Sequence, residues 1–297
     1  MVYPRCVESA GAERVSIAET KPGTILSRIL ESRRAEVARR QRIMPETVLR
    51  IAAGKADAPR DFAQALARDK VNVIAEIKKA SPSAGVLRRD FEPAALARAF
   101  EQADAAALSV LTEEEHFQGT LAHLRDARAA VALPVLRKDF VVDRWQVWEA
   151  RAANADSFLL IAAALDDAAL ADLLALGREL GMEALVEVHT AGELERVLAV
   201  GARVVGVNNR SLHTLDVRPE TSLELVDMIP DDRIAVSESG LRSAEDLSKL
   251  RASGFDAFLI GESLMREAEP GAALGRLIDA VSAASGDLGA GSSDRSR

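Results

Sequence analysis

From Val71 onward the chain alternates between short β-rich apolar runs and longer stretches of helical period, and this alternation limits the fold more than any other feature. The runs are Val71–Ile77, Ala106–Val110, Val135–Leu136, Phe158–Ile161, Ala184–Val188, Val204–Val207, Ile234–Val236 and Ala257–Ile260. Between them lie Pro93–Gln102, Thr120–Val131, Asp143–Ala153, Asp167–Leu180, Ala191–Val200, Pro219–Met228 and Ser243–Ala252, with a last helix from Glu262 toward Ala284. Strands covered by helices on the outside read as continuous apolar runs. Eight such strands, each followed by a helix, predict an α/β fold of the closed (β/α)8 barrel type. An open doubly wound sheet is the alternative. It usually carries a glycine-rich fingerprint after its first strand, where this chain has Glu76-Ile77-Lys78-Lys79.

The 297 residues exceed what one barrel needs, and the surplus lies mostly at the N-terminus. Thr24 can cap a helix that places Ile25, Leu26, Ile29, Leu30 and Val37 on one face. The arginines Arg33, Arg34, Arg39, Arg40 and Arg42 then fall mostly on the other side and read as a solvated face. Short helical pieces follow at Thr47–Ala53 and Asp61–Ala67. The expected organisation is an irregular segment 1–23, a single barrel domain 24–285 that includes N-terminal helices 24–68, and a disordered tail 286–297 rich in Gly, Ser, Asp and Arg.

Composition excludes some functions. With 38 basic and 46 acidic residues the net charge is −8, which argues against a nucleic-acid binder. It leaves room for a small anionic substrate, since a few local cations can hold one. The one cysteine, Cys6, allows neither an intrachain disulfide nor a Cys-rich zinc site. No run reaches the length of a membrane helix, and Met1–Arg5 lacks the apolar core of a signal peptide, so a cytoplasmic protein is expected. Neither a His-x-Glu-x-His motif nor an acidic cluster stands out, and no catalytic metal or cofactor is inferred.

In a barrel of this kind the chemistry lies at the carboxyl ends of the strands, and side chains two apart on a strand share a side. The first strand therefore points Glu76 and Lys78 together, either as catalytic groups or as an ion pair closing the barrel top. The third ends Leu136-Arg137-Lys138-Asp139-Phe140, with Lys138 on the side of Leu136. A partly desolvated lysine near another cation is expected to have a lowered pKa, suited to proton transfer or to a Schiff base. On the fifth, Glu187 is a candidate base or electrostatic partner, and His189 reads as a supporting or capping residue. On the sixth, Asn208 can hold a hydroxyl and Arg210 a carboxylate, although Asn208-Asn209 also suits a turn. Ser239-Gly240 after the seventh strand and Gly261-Glu262 after the eighth let backbone N–H groups approach a phosphate. Phe117 is a candidate cover for an aromatic substrate or a loop anchor, and the fourth strand offers the apolar wall Leu159 to Ile161.

These segments, together with Ala80-Ser81-Pro82-Ser83, Glu187-Val188-His189 and Ser237-Glu238-Ser239-Gly240, resemble the indole-3-glycerol phosphate synthases of tryptophan biosynthesis. The resemblance runs in order from about Thr24 to about Met265. It implies a cofactor-independent ring closure of 1-(2-carboxyphenylamino)-1-deoxyribulose 5-phosphate, with loss of carbon dioxide and water. It also implies roles. Lys138 is the general acid at the ketose carbonyl, and Lys78 pairs with the substrate carboxylate. Glu187 is base or electrostatic partner, Glu76 orients the lysines, and Asn208 holds a sugar hydroxyl. Arg210 lies near the anthranilate ring or its carboxylate. Ser239, Gly240, Gly261 and Glu262 bind phosphate with Ser81 nearby, and Phe117, Phe140, Leu159 and Ile161 form the ring pocket. Lys78, Lys138 and Arg210 are expected on one rim, with the acidic excess mostly on the outer helices.

His116, Arg144 and Asn154 depart from the pattern common in that family and put local loop shape in doubt. The expected partner is a small molecule carrying carboxylate and phosphate, with no nucleic acid and no membrane. The expected state is a monomer or weak oligomer, with contact to other tryptophan-pathway enzymes possible. Rival readings are another phosphate-binding barrel such as phosphoribosylanthranilate isomerase, a Schiff-base aldolase, and a non-catalytic barrel subunit. The first uses a cysteine at the barrel mouth, whereas Cys6 lies far upstream of the first strand.

Overall fold

The computed structural model describes residues 23–212 and 214–290. The expectations for residues 1–22 and 291–297, and Cys6 with them, fall outside the described residues. Three helices come first: α1 (Ile25–Ile43), α2 (Glu46–Ala53) and α3 (Phe62–Leu66). The strands are β1 (Asn72–Ile77), β2 (Ala80–Ser81), β3 (Gly85–Val86), β4 (Ala107–Leu111), β5 (Val135–Lys138), β6 (Ser157–Ile161), β7 (Leu185–Val188), β8 (Val204–Asn208), β9 (Ile234–Glu238) and β10 (Ala257–Ile260). All but β2 and β3 pair in parallel and close into a barrel in the order β1-β10-β9-β8-β7-β6-β5-β4. The antiparallel β2–β3 hairpin in the first strand-to-helix loop was not anticipated, because two-residue strands leave no period to detect.

Between the strands run α4 (Pro93–Gln102), α5 (Leu121–Ala130), α6 (Arg144–Ala152), α7 (Asp167–Glu179), α8 (Ala191–Ala199), α9 (Glu220–Leu225) and α10 (Ala244–Ala252). The helix expected from Glu262 onward is two helices, α11 (Glu262–Met265) and α12 (Pro270–Ala290), and Pro270 opens the second. Helix α12 extends through Gly286–Ala290, the first part of the segment assigned to a loose tail. All barrel-strand residues except Lys138 are buried, as expected where helices cover a parallel sheet.

The N-terminal helices clamp the barrel from end to end. Thr24 caps α1 by accepting from the Ser27 amide, and Leu26, Ile29, Leu30 and Val37 are buried as the period predicts. Trp145 on α6 donates its indole N–H to Met44 at the end of α1. The following segment crosses the opposite end of the barrel. There the Asp57 amide meets Asn154 Oδ1 and the Arg60 amide meets buried Asp156. Phe62, Ala63 and Leu66 of α3 are buried against the strands. Asn154 adopts φ +65°, a left-handed position that asparagine tolerates, which accommodates this departure from the glycine expected there. Arg144, a second departure, pairs with Asp172 on α7.

Arg34, Arg39 and Arg42 are exposed, as a solvated face requires, but Arg33 and Arg40 of the same stripe turn to partners on the barrel. Arg33 is 2% exposed and pairs with Asp139, while Arg40 pairs with Glu149 on α6. Both partners also hold Arg137, whose guanidinium lies 3.0 Å from Asp139 and 2.9 Å from Glu149. Burial works against ionisation of Asp139, but Arg137 and Arg33 outweigh it and hold the carboxyl below its usual range. A one-dimensional period could not show this network, because its members lie about a hundred residues apart on three elements.

Removing Arg33 would leave Asp139 buried beside fewer cations. Arg33→Ala is expected to lower unfolding stability by about 3–5 kcal/mol, read from urea denaturation. Asp139 contributes stability at neutral pH and loses it as the pH falls below about 4. The penalty of Arg33→Ala should therefore shrink in acid.

Candidate active site

Every candidate site residue taken from the sequence lines one cavity of about 650 Å³ at the carboxyl end of the barrel. Strand parity explains the convergence. Glu76 and Lys78 leave β1 on the inner side, with Lys78 Nζ 2.6 Å from Glu76 Oε1. Lys138 ends β5 on the same side, while its neighbours Arg137 and Asp139 turn outward into the ion network. Glu187 on β7 and Asn208 on β8 complete the inward ring.

One further ring member was not singled out from the sequence. Glu238 ends β9 opposite Asn208, is 1% exposed, and lies 3.9 Å from Lys138. By its small residues the segment Ser237-Glu238-Ser239-Gly240 reads only as a phosphate loop. The alternation that picked out Glu187 would also have picked out Glu238 beside inward Val236. Two glycines make room for the carboxylates. A Cβ on Gly206 would stand 2.1 Å from Glu238 Oε1, and one on Gly261 would stand 2.5 Å from Glu76 Oε1.

The charge state of the ring differs from the sequence expectation. Lys138 was expected to have a lowered pKa. Burial does press in that direction, but Glu187 at 3.5 Å, Glu238 and Glu76 overcome it and raise the pKa, so the ammonium is retained. Glu76 is lowered: burial opposes its charge, and Lys78, Lys138 and Arg210 outweigh burial. Glu238 is pushed up to about 8 by burial and by the charge of Glu187. The acidic excess is therefore not confined to the outer helices. Glu76, Glu187 and Glu238 stand among the cations.

The rest of the cavity has two ends. Phe117 and Phe140 stand with ring centroids 6.4 Å apart, beside Leu159 and Ile161. Ile25, Leu26 and Ile29 of α1 also line the cavity, a contribution that periodicity could identify only as core packing. Behind Phe117, Glu113 accepts from the amides of His116 and Phe117 and faces His116 Nδ1 at 3.1 Å, which accounts for the His116 departure. Glu113, Glu115 and His116 form a group of possible metal ligands outside the cavity, although no acidic cluster was noted in the sequence.

At the other end, Ser239 and Gly240 have φ of +66° and +80°, so successive left-handed residues shape the backbone there. Ser81 and Gly261 lie on the same cavity wall. Glu262 faces Arg210 at 3.5 Å, and Arg210 also donates to the Leu215 carbonyl. Asn208 accepts the Arg210 amide on Oδ1, so the turn chemistry and the inward position coexist. The arrangement can keep a buried ammonium charged beside carboxylates of unequal acidity, and unequal environments of this kind separate acids from bases.

Glu238 supplies a test of this electrostatics. Its carboxyl ionises more readily unfolded than folded, so it costs stability progressively as the pH rises from about 4.5 toward about 8. Glu238→Gln should therefore raise the melting temperature over the parent more at pH 8 than at pH 5. An advantage that stayed constant or shrank would contradict the assignment.

Comparisons with known proteins agree with this geometry. A sequence model described as indole-3-glycerol phosphate synthase matches residues 26–277. Relatives bearing that name include those of Burkholderia vietnamiensis, 49% identical over 257 residues, and Laribacter hongkongensis, 50% identical over 258 residues. Each alignment spans 85% of this chain and 98% of the relative. The relative from Chromobacterium violaceum is 50% identical over 262 residues, covering 87% of this chain and 99% of its own. Two solved structures of low sequence identity share the fold alone. KGPDC from Streptococcus mutans in complex with D-R5P has a TM-score of 0.58 at 12% identity, over 72% of this chain and 98% of that one. A 3-hexulose-6-phosphate synthase from Salmonella typhimurium has a TM-score of 0.56 at 11% identity, over 72% and 99%. With its barrel, its inward lysines and a family match across most of its length, the chain belongs to the indole-3-glycerol phosphate synthase family.

Proposed function

We propose that this protein converts 1-(2-carboxyphenylamino)-1-deoxyribulose 5-phosphate to indole-3-glycerol phosphate, releasing carbon dioxide and water. The observation that carries this reading is the ammonium of Lys138, held charged among Glu187, Glu238 and Glu76 between an aromatic end and a glycine-lined end of one cavity. A substrate with a benzoate ring at one end and a phosphate at the other matches that layout. The ring would lie against Phe117, Phe140, Leu159 and Ile161, and the phosphate against the backbone at Ser81, Ser239, Gly240 and Gly261.

The chemistry follows from the positions. Lys138 donates a proton toward the ketose oxygen as the ring carbon bearing the carboxylate attacks the carbonyl carbon. That forms the new carbon–carbon bond and leaves a hydroxyl. The carbon–carboxylate bond then breaks, its electron pair restores the ring, and carbon dioxide leaves. Lys78 pairs with the carboxylate before that step and can supply the proton with which the hydroxyl departs as water. Glu187 stabilises the cationic intermediate or removes the last proton. Glu76, 2.6 Å from Lys78, orients it. Asn208 holds a sugar hydroxyl, and Arg210, steadied by Glu262, stands at the substrate rim. A retained ammonium favours acid catalysis over a Schiff base, which requires the neutral amine.

Purified protein given this substrate, with neither metal nor nucleotide added, should develop indole fluorescence; a flat trace would sink the reading. Lys138→Ala should cut kcat by at least about a hundredfold, the usual scale for a general acid. Borohydride with the substrate present should leave Lys138 without a covalent adduct.

A further inference from the structure

A second cavity of about 320 Å³ adjoins the first on the far side of Asn208, which lines both. Its wall includes His189, Thr190 and Glu193, and its rim includes the exposed residues Asp216 and Arg218. The His189 ring stands between the cavities. Its Nε2 is buried without a hydrogen-bond partner and faces Glu187 Oε1, likewise buried and unsatisfied, at 3.6 Å. Its Nδ1 lies 3.5 Å from Glu193 Oε2. The other Glu187 oxygen is 3.5 Å from Lys138 Nζ. Lys138, Glu187, His189 and Glu193 thus form a continuous row from the reacting centre to the second cavity.

Capping accounts for only part of this row. Glu193 accepts the His189 amide at 2.7 Å, and its own amide meets Thr190 Oγ1 as α8 begins. That explains the place of Glu193. It does not explain an imidazole buried with an unsatisfied nitrogen turned toward an unsatisfied carboxylate oxygen, since such atoms normally find partners.

We propose that His189 and Glu193 carry protons between the second cavity and Glu187 during turnover. This rests on the ring-closing activity proposed above. In that reaction the substrate carboxylate leaves as neutral carbon dioxide, so one proton is taken up per turnover. Glu187 is 1% exposed, and a substrate filling the larger cavity stands between it and the main opening. The second cavity offers another way in. A proton taken up from water at the Glu193 carboxylate passes to His189 Nδ1, the ring gives its Nε2 proton to Glu187, and Glu187 hands a proton on to Lys138, which gave one to the ketose oxygen. Lys78 recovers its own proton from the last one the product loses, so one proton enters per turnover, and the ring, now the Nδ1–H tautomer, exchanges back between turnovers. The surroundings suit a ring that can be charged. Burial opposes the charge, but Glu193 on α8, Glu187 on β7 and Glu238 on β9 outweigh it and raise the pKa of His189. Among the described residues the nearby cations are Lys138 on β5, beside Glu187, Arg196 on α8, beside Glu193, and Arg218 on the rim of the second cavity.

The test compares the full chain with its His189→Gln and Glu193→Gln variants, measuring kcat and KM across pH. Both variants should lose about tenfold in kcat near neutrality with KM within about twofold, and imidazole added to His189→Gln should restore much of the rate. A kcat and pH profile like the parent's in both variants overturns the proposal. So does a loss that imidazole does not relieve if Glu193→Gln keeps full activity. Should His189→Gln fail to fold, Glu193→Gln alone decides. A nitrogen NMR titration of His189 needs no turnover. Its midpoint should fall in Glu187→Gln and in Glu193→Gln, and an unmoved midpoint overturns the row whether or not the parent makes product. If the parent makes no product, the functional reading fails separately.

Discussion

The ion network around Asp139 is the constraint on which the rest of the structure depends. Arg33 from α1 and Arg137 from β5 converge on one buried carboxylate, Thr112 adds a hydroxyl donor, and Glu149 links Arg137 to Arg40. Buried charges are tolerable only when paired and hydrogen-bonded, so this cluster tolerates little displacement of its members. Lys138 sits between Arg137 and Asp139. Strand alternation turns the two flanking residues outward into the network and the lysine inward to the cavity. The same contacts that seat α1 therefore also set the backbone from which Lys138 projects.

That coupling connects the N-terminal helices to the site in a second way. Helix α1 lays Ile25, Leu26 and Ile29 over the cavity while Arg33 anchors the helix one turn beyond. Gln146 on α6 continues the bracing, bonding the Phe140 carbonyl and the Val142 amide so that the aromatic end of the cavity is held by its backbone. The helices that lengthen the chain beyond a bare barrel thus supply apolar wall and rigidity, and the strands supply the ionisable groups.

Inside the cavity the balance of charge matters more than the number of cations. Lys78 and Lys138 face Glu76, Glu187 and Glu238, and these carboxylates do not share one environment. Glu76 is held ionised by its neighbouring lysines, whereas burial and repulsion keep Glu238 protonated more readily. Spacing two carboxyl groups apart in acidity around a retained ammonium lets one site both donate and receive protons. The net charge of −8 describes none of this, because it averages over the surface.

The strand and helix periods alone were enough to predict the barrel and to place Glu76, Lys78, Lys138, Glu187 and Asn208 on its inner side, because alternation is a local property written into adjacent residues. The long motifs around Lys78 and Lys138 carried the family in the same way. Three matters were decided only in three dimensions: the burial of Arg33, the retained charge of Lys138, and the facing of His189 Nε2 onto Glu187 beside the second cavity. The first two turn on distances between groups far apart in the chain, and the third on how the His189 ring is turned between Glu187 and Glu193. Coulomb attraction and desolvation follow those distances, and no period in the sequence records them.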